Sequence, residues 1–299
     1  LPFALTGYFW ALHHYNLDFS LKVLLLVLAA MVFARNAAMG FNRYADRRID
    51  ASNQRTQNRE IPSGKISPGA ALAFVLINAG LFVFVTAFLN PLCLYLSPVA
   101  LGVILGYSLT KRFTFLCHLF LGLGLSLAPV GAWLAVSGSF HVLPVLLGLM
   151  VLFWVAGFDI IYALQDAEFD RENRLFSIPA FFGRKKALLI SRGIHVLCLV
   201  PGIIILLYFQ QGGFFLSGFL IFSGLLVFQH SLVRAGDLSR VNMAFFTTNG
   251  FASLIFGTLA IVQVLGLLAF SRAFFILLNL AFRALMLSNS TRKAKAMEE

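Results

Sequence analysis

Charged side chains are scarce in this chain. Only 12% of its 299 residues are Asp, Glu, Lys or Arg, about half the share of an ordinary soluble domain. Hydrophobic residues make up 60% and the mean hydropathy is +0.87. That balance excludes a soluble globular domain and points to an integral membrane protein. Cysteine is nearly absent. Cys93, Cys117 and Cys198 stand singly in apolar segments, which excludes a disulfide framework and a thiolate metal site and leaves them as packing residues. Period-two alternation of apolar and polar residues is missing too, which excludes a transmembrane β-barrel. No leader with a small-residue cleavage site opens the chain. It begins at Leu1, inside an apolar run, and reads as lacking part of its N-terminus.

Long apolar runs dominate what is there. A helix needs about 20 residues to cross about 30 Å of hydrocarbon. Nine stretches qualify as candidate spans: 1 to 16, 20 to 41, 68 to 89, 91 to 110, 114 to 137, 142 to 165, 186 to 209, 213 to 234 and 246 to 270. The stretch 274 to 287 is a tenth span or an interfacial helix. The expected fold is all-α: a polytopic membrane protein of about nine transmembrane helices around a central cavity. One transmembrane domain would cover 1–287, followed by a polar, disordered tail over 288–299.

The net charge of +11 does not indicate nucleic acid, because its distribution follows the spans. Arg43, Arg47, Arg48, Arg55, Arg59 and Lys65 follow the second span, Lys111 and Arg112 the fourth, Arg171, Arg174, Arg184, Lys185, Lys186 and Arg192 the sixth, and Arg234 and Arg240 the eighth. The loops around Asn90, Ser137 to His141 and Gln210 to Gly213 carry no Lys or Arg. This alternation is the positive-inside pattern, and it puts the basic loops in the cytoplasm of a bacterial-type inner membrane. Attraction to anionic lipid is a second effect of the same charge.

Acids are rarer still, 12 in all, and most fall in two clusters. If the second span continues as a helix, Asn42, Asp46 and Asp50 share one face at about 6 Å intervals. Asp166 and Asp170 repeat that spacing, with Asp159 on about the same face. Like charges so close repel, and at a membrane boundary they need a cationic partner. Hard oxygen ligands with open positions suit Mg²⁺, which shares its coordination with water and substrate phosphates. Two facing ladders therefore suggest a Mg²⁺–diphosphate site with Arg and Lys gripping the remaining phosphate oxygens. The alternative is that these acids simply pair with neighbouring arginines at little net benefit.

The motifs themselves are informative. "NRYADRRID" resembles the first aspartate-rich motif, NDxxDxxxD, of the UbiA superfamily of intramembrane aromatic prenyltransferases. "RTQNREIPSGKIS" resembles the RTxNRPLPSG continuation of its quinone-pathway members. "DIIYALQDAEFDRENRLFSIPAFFG" resembles the second motif, DxxxD, with its upstream Asp and downstream Ser and Phe-Gly. Tyr107 to Lys111 matches the YxxxK element between them. Where the family pattern has Asp, this chain has Arg43, a form similar to that of a menaquinone-pathway subgroup.

The resemblance implies Mg²⁺-dependent transfer of a polyprenyl group from polyprenyl diphosphate to a small aromatic acid of the 4-hydroxybenzoate type in ubiquinone or menaquinone biosynthesis, with a naphthoate-type acceptor as the alternative. Asn42, Asp46 and Asp50 would hold one metal ion, and Asp166 and Asp170 a second. Lys111 would contact the diphosphate with Tyr107 nearby, and Arg47, Arg59 and Arg174 are further diphosphate candidates. Arg112 is a candidate for an acceptor carboxylate. Asp159 would orient the acceptor or remove its proton, or else serve as a partner of Lys111. Asn36 either faces the substrate cavity or makes a helix–helix hydrogen bond. The six histidines lack ligand spacing and read as interfacial or core residues. The stretch "NMAFFTTNG", Asn242 to Gly250, is a candidate lining of the acceptor pocket. A transporter is the competing class, but the acids cluster at one membrane face and no pair of broken helices marks a midplane site.

Overall fold

A computed structural model describes residues 1–208 and 212–266. Every regular element among them is helical. In order these are α1 (Pro2–His14), α2 (Leu21–Ser52), α3 (Pro68–Ala87), α4 (Pro91–Thr110), α5 (Cys117–Ser137), α6 (Val142–Ala163), α7 (Ala167–Glu172), α8 (Ile178–Tyr208), α9 (Gly213–Leu232) and α10 (Asn249–Leu265). A single 3₁₀ turn, Leu164–Asp166, joins α6 to α7, and a π-helical segment, Met243–Thr248, leads into α10.

Several starts follow from local chemistry. Ser20, Ser67 and Asn90 each accept a hydrogen bond from an amide three residues on, and Pro68 and Pro91 occupy the first helical position, where the missing N–H costs nothing. Gly138 ends α5 at φ 65°, a left-handed conformation that glycine adopts without a Cβ clash. Eight helical segments among the described residues are long and apolar enough to cross a membrane. The first expected span, 1 to 16, is α1, 13 residues long and buried on much of its surface through Phe3, Tyr8, Trp10 and Ala11. The 274–287 stretch, the end of the ninth span and the tail 288–299 lie outside the described residues.

The main core joins α1, α5, α6, α8, α9 and α10 through Trp10, Trp133, Leu147, Met150, Phe215, Phe222 and Phe256. Large apolar residues such as Leu25, Phe84, Tyr95, Leu197 and Val227 point outward, as expected where the solvent is lipid. Lipid tails are as apolar as Leu, so helix association depends on close packing. At Gly7 and Gly122 a Cβ would overlap the carbonyl oxygens of Pro129 and Leu152, and α1 and α6 can approach α5 only because those side chains are absent.

Candidate active site

At 32 residues, α2 is about 48 Å long, well beyond the hydrocarbon thickness. Its last turns therefore carry the first acidic motif past the apolar layer without a break. Asp46 and Asp50 are buried, at 2% and 4% exposure. Lys111 Nζ lies 2.6 Å from Asp46 Oδ2, and Arg112 Nη2 lies 3.6 Å from Asp46 Oδ1 while donating to Ala45 O at 2.6 Å. Asn42 Nδ2 donates to Asp46 Oδ2 at 3.3 Å and to Ser108 Oγ at 3.5 Å. Arg59 Nη1 meets Asp50 Oδ1 at 2.7 Å, and Thr56 Oγ1 donates to the Asp50 carbonyl. One oxygen of each carboxylate, Asp46 Oδ1 and Asp50 Oδ2, is buried without a hydrogen bond.

The second motif is built differently. The 3₁₀ turn ends α6 at Ala163 and so separates Asp159 from the pair, while Asp166, the N-cap of α7, stands one turn before Asp170 and its charge acts on that carboxyl, although the two take different partners. Asp166 turns to the α2–α3 connection, where Arg55 grips both its oxygens and Asn53 Nδ2 donates at 3.0 Å. Burial alone would lower the Arg55 pKa, but the pairing with Asp166 holds it above its ordinary value. Asp170 accepts instead from Ser177 Oγ at 2.9 Å. Asp159 is not a partner of Lys111. It meets His118 Nδ1 at 2.7 Å, because α6 faces α5 at that level while Lys111 reaches across to α2.

The connections tie this layer together. Phe176 N–H donates to the Lys111 carbonyl at 2.7 Å, and Cys117 Sγ–H donates to the Phe176 carbonyl at 3.4 Å. Beneath it lies a cavity of about 630 Å³ lined by α1 to α6, the segment before α10 and α10 itself. Tyr107, one turn before Lys111, is on its wall with Trp154, Phe158 and Phe245. Arg35 lines it as well, two turns before Asn42 on the same face of α2.

The remaining expected site residues are dispersed. Arg47 stacks on Tyr44, 4.3 Å from the ring centroid, and donates to the Tyr44 carbonyl. Arg174 is exposed at φ 55° just beyond α7. Asn36 Nδ2 donates to Asn78 Oδ1 at 3.1 Å, the helix–helix bond that was one of its two readings. From the Asn242–Gly250 stretch, Asn249 Oδ1 accepts from Trp154 and Gln229, and Phe245 reaches the cavity wall. Sequence reasoning gave no role to Arg35, Asn53, Arg55, His118 or Ser177. Arg55 and Ser177 sit inside quoted motif segments, and Arg35 is a lone charge in an apolar span, which was itself a signal.

The first motif fits a hard divalent cation. Asp46 and Asp50 are oxygen donors, each with one buried oxygen that no donor satisfies. Among the described residues no three His, Cys, Asp or Glu side chains form a ready cage. Mg²⁺ does not need one, since it commonly binds one or two carboxylates together with substrate phosphates.

A model of the UbiA prenyltransferase family matches residues 1–255. The chain belongs to that family. Its relatives include two proteins named 4-hydroxybenzoate octaprenyltransferase. The one from Vibrio atlanticus (strain LGP32) is 30% identical over 76% of this chain and 80% of its own length. The one from Nitrosomonas eutropha is 32% identical over 78% of this chain and 82% of its own. Among solved structures, a ligand-free UbiA homologue from Aeropyrum pernix K1 superposes with a TM-score of 0.79 at 31% identity, covering 88% of this chain and 97% of that one. A homologue from Archaeoglobus fulgidus, bound to GPP and Mg²⁺, shares the fold at a TM-score of 0.63 and 20% identity, covering 88% and 93%. This UbiA family member is a multi-pass membrane prenyltransferase, and its acidic layer is the place to look for the chemistry.

Proposed function

We propose that this enzyme transfers a polyprenyl group from polyprenyl diphosphate to a 4-hydroxybenzoate-type aromatic acid in quinone biosynthesis, with Mg²⁺ as cofactor and the active site facing the cytoplasm. The observation that carries this reading is the pair of buried, incompletely satisfied carboxylates, Asp46 and Asp50, ringed by Lys111, Arg112 and Arg59 above an apolar cavity. The relatives' names supply the acceptor class, and the basic loops supply the orientation.

Asn42, Asp46 and Asp50 would hold the metal ion, with Asp166 and Asp170 as candidates for a second. Bound there, Mg²⁺ would neutralise charge building on the departing diphosphate. Lys111 and Arg59 now compensate the acids and would turn toward diphosphate oxygens, Lys111 as a point charge and Arg59 as a planar fork. Arg55 would do the same beside Asp166. This is electrostatic stabilisation by groups already in place. The C–O bond to diphosphate breaks, a C–C bond forms at the acceptor ring, and that ring carbon gives up its proton, for which Asp159 is the candidate recipient. Trp154, Phe158, Phe245 and Tyr107 exclude water from the allylic cation and present ring faces to it. Arg35 offers a guanidinium to an acceptor carboxylate inside the cavity, a better-placed candidate than Arg112, which is engaged with α2.

The test is incubation of the lipid-reconstituted protein with Mg²⁺ and radiolabelled polyprenyl diphosphate, with 4-hydroxybenzoate and a dihydroxynaphthoate in separate reactions. Prenylated benzoate that depends on Mg²⁺ supports the reading. Product with the naphthoate alone would overturn the acceptor assignment.

A further inference from the structure

His118 has no part in the chemistry described above, yet it is 98% enclosed, with 2% of its surface accessible, one residue into α5. Both ring nitrogens are engaged. Nε2 receives the N–H of Ile178 at 3.2 Å, and Nδ1 lies 2.7 Å from Asp159 Oδ2. Ile178 opens α8, so its amide has no carbonyl within its own helix and needs an outside acceptor. A backbone N–H can only donate, so Nε2 must offer its lone pair. The ring hydrogen is then on Nδ1, directed at the carboxylate. This hydrogen-bond pattern assigns the ring hydrogen to Nδ1, with Asp159 as the acceptor of its hydrogen bond.

The far side of this contact belongs to the second acidic motif. Ser177, adjacent to Ile178, donates to Asp170 and receives the amide of Ala180. Asp159 itself keeps 22% of its side-chain surface accessible, and its charge acts on Tyr107, which lines the cavity. One imidazole therefore joins the Asp159 carboxylate to the backbone that carries the Asp170 clasp.

We infer that His118 is a positioning residue that holds Asp159 in the orientation needed to receive the proton from the prenylated ring. This rests on the reading of Asp159 in the proposed function. His118 touches no substrate; it acts through Asp159, and its second bond ties that orientation to the α7–α8 connection.

Two amide replacements separate this role from packing. In His118→Asn the side-chain NH₂ lies near the former Nδ1 and keeps a donor for Asp159 but loses the acceptor for Ile178. In His118→Gln the amide reaches toward Ile178 and gives up Asp159. His118→Gln is expected to lower kcat by about 10- to 100-fold, by analogy with the range seen when the orienting partner of a metal ligand is removed, with KM for the polyprenyl diphosphate unchanged. His118→Asn should recover most of that kcat, although both variants lose one buried bond and should melt at similar temperatures. The double variant His118→Gln, Asp159→Asn should be no slower than Asp159→Asn alone, because the two act as one unit. Equal kcat losses in the two amide variants, or a parallel rise in diphosphate KM, would reduce His118 to a structural role, and unchanged kcat in His118→Gln would overturn the proposal outright. A second measurement is independent of turnover. Nitrogen-15 NMR of histidine-labelled protein, with the signal assigned by its loss in His118→Asn, should show the neutral Nδ1–H tautomer; an Nε2–H tautomer or an imidazolium would refute the hydrogen-bond pattern. Lack of product from the wild-type protein would instead sink the function reading, and the spectrum would still decide the tautomer.

Discussion

The two acidic motifs share the same i, i+4 spacing but stand on different supports. Asp46 and Asp50 project from an unbroken α2 and are almost fully enclosed, each with one oxygen that makes no hydrogen bond. Asp166 closes the 3₁₀ turn that follows α6 and Asp170 lies one turn beyond it, and each is met by donors from a connection: Arg55 and Asn53 for one, Ser177 for the other. A buried carboxylate oxygen without a hydrogen bond is costly, and a rigid helix cannot move to relieve it. The contrast teaches that spacing alone does not make two motifs equivalent. The first is preorganised, held by Lys111, Arg112 and Arg59 with one oxygen of each carboxylate left without a hydrogen bond, and the second is met by one arginine and a serine and stands on connections rather than on a long helix.

The widest gap should appear in turnover. Asp46→Asn or Asp50→Asn is expected to lower prenyl transfer by roughly 10³-fold, and Asp166→Asn or Asp170→Asn by roughly 10- to 100-fold; equal losses, measured with radiolabelled diphosphate, would erase the distinction. Lys111→Met should follow at about 10²-fold in kcat/KM, with Lys111→Arg only a partial rescue because a fork does not replace a point charge. Metal binding sharpens the comparison without turnover. Mg²⁺ should raise the melting temperature of the wild-type protein and of Asp166→Asn, since a ligand bound to the native state stabilises it, but not of the Asp46→Asn, Asp50→Asn double variant. A smaller effect is expected from the Arg55–Asp166 pair. With a third of Arg55 exposed, a double-mutant cycle on thermal stability should give about 0.5–1 kcal/mol, and a larger value would mean that the connection is as rigid as α2. Asn36→Leu should be the mildest, costing about 0.6 kcal/mol for a helix–helix hydrogen bond in lipid with activity nearly intact; a large activity loss would move Asn36 into the substrate cavity.

Much of this was legible before any coordinates. The apolar runs mark the helices because that signal is local, and the all-helical polytopic fold was borne out. The motif residues were visible as rare acids in an apolar chain. Their surroundings were not. Periodicity assumes that a helix continues, and nothing in "YALQDAEFD" announces the 3₁₀ turn that separates Asp166 from α6. His118 looked like a scattered histidine because its partners, Asp159 and Ile178, come from distant segments.

The sequence by itself determined which segments are long and apolar enough to cross a membrane, which loops are basic and where the rare acids fall, because hydropathy, charge and motif spacing are properties of neighbouring residues. Only the tertiary structure decided that Lys111 meets Asp46, that Arg55 meets Asp166, that His118 meets Asp159 and that Arg35 lines the cavity. Those pairings depend on how separate helices pack, and the partner of a buried charge is whichever group the packed helices bring within reach.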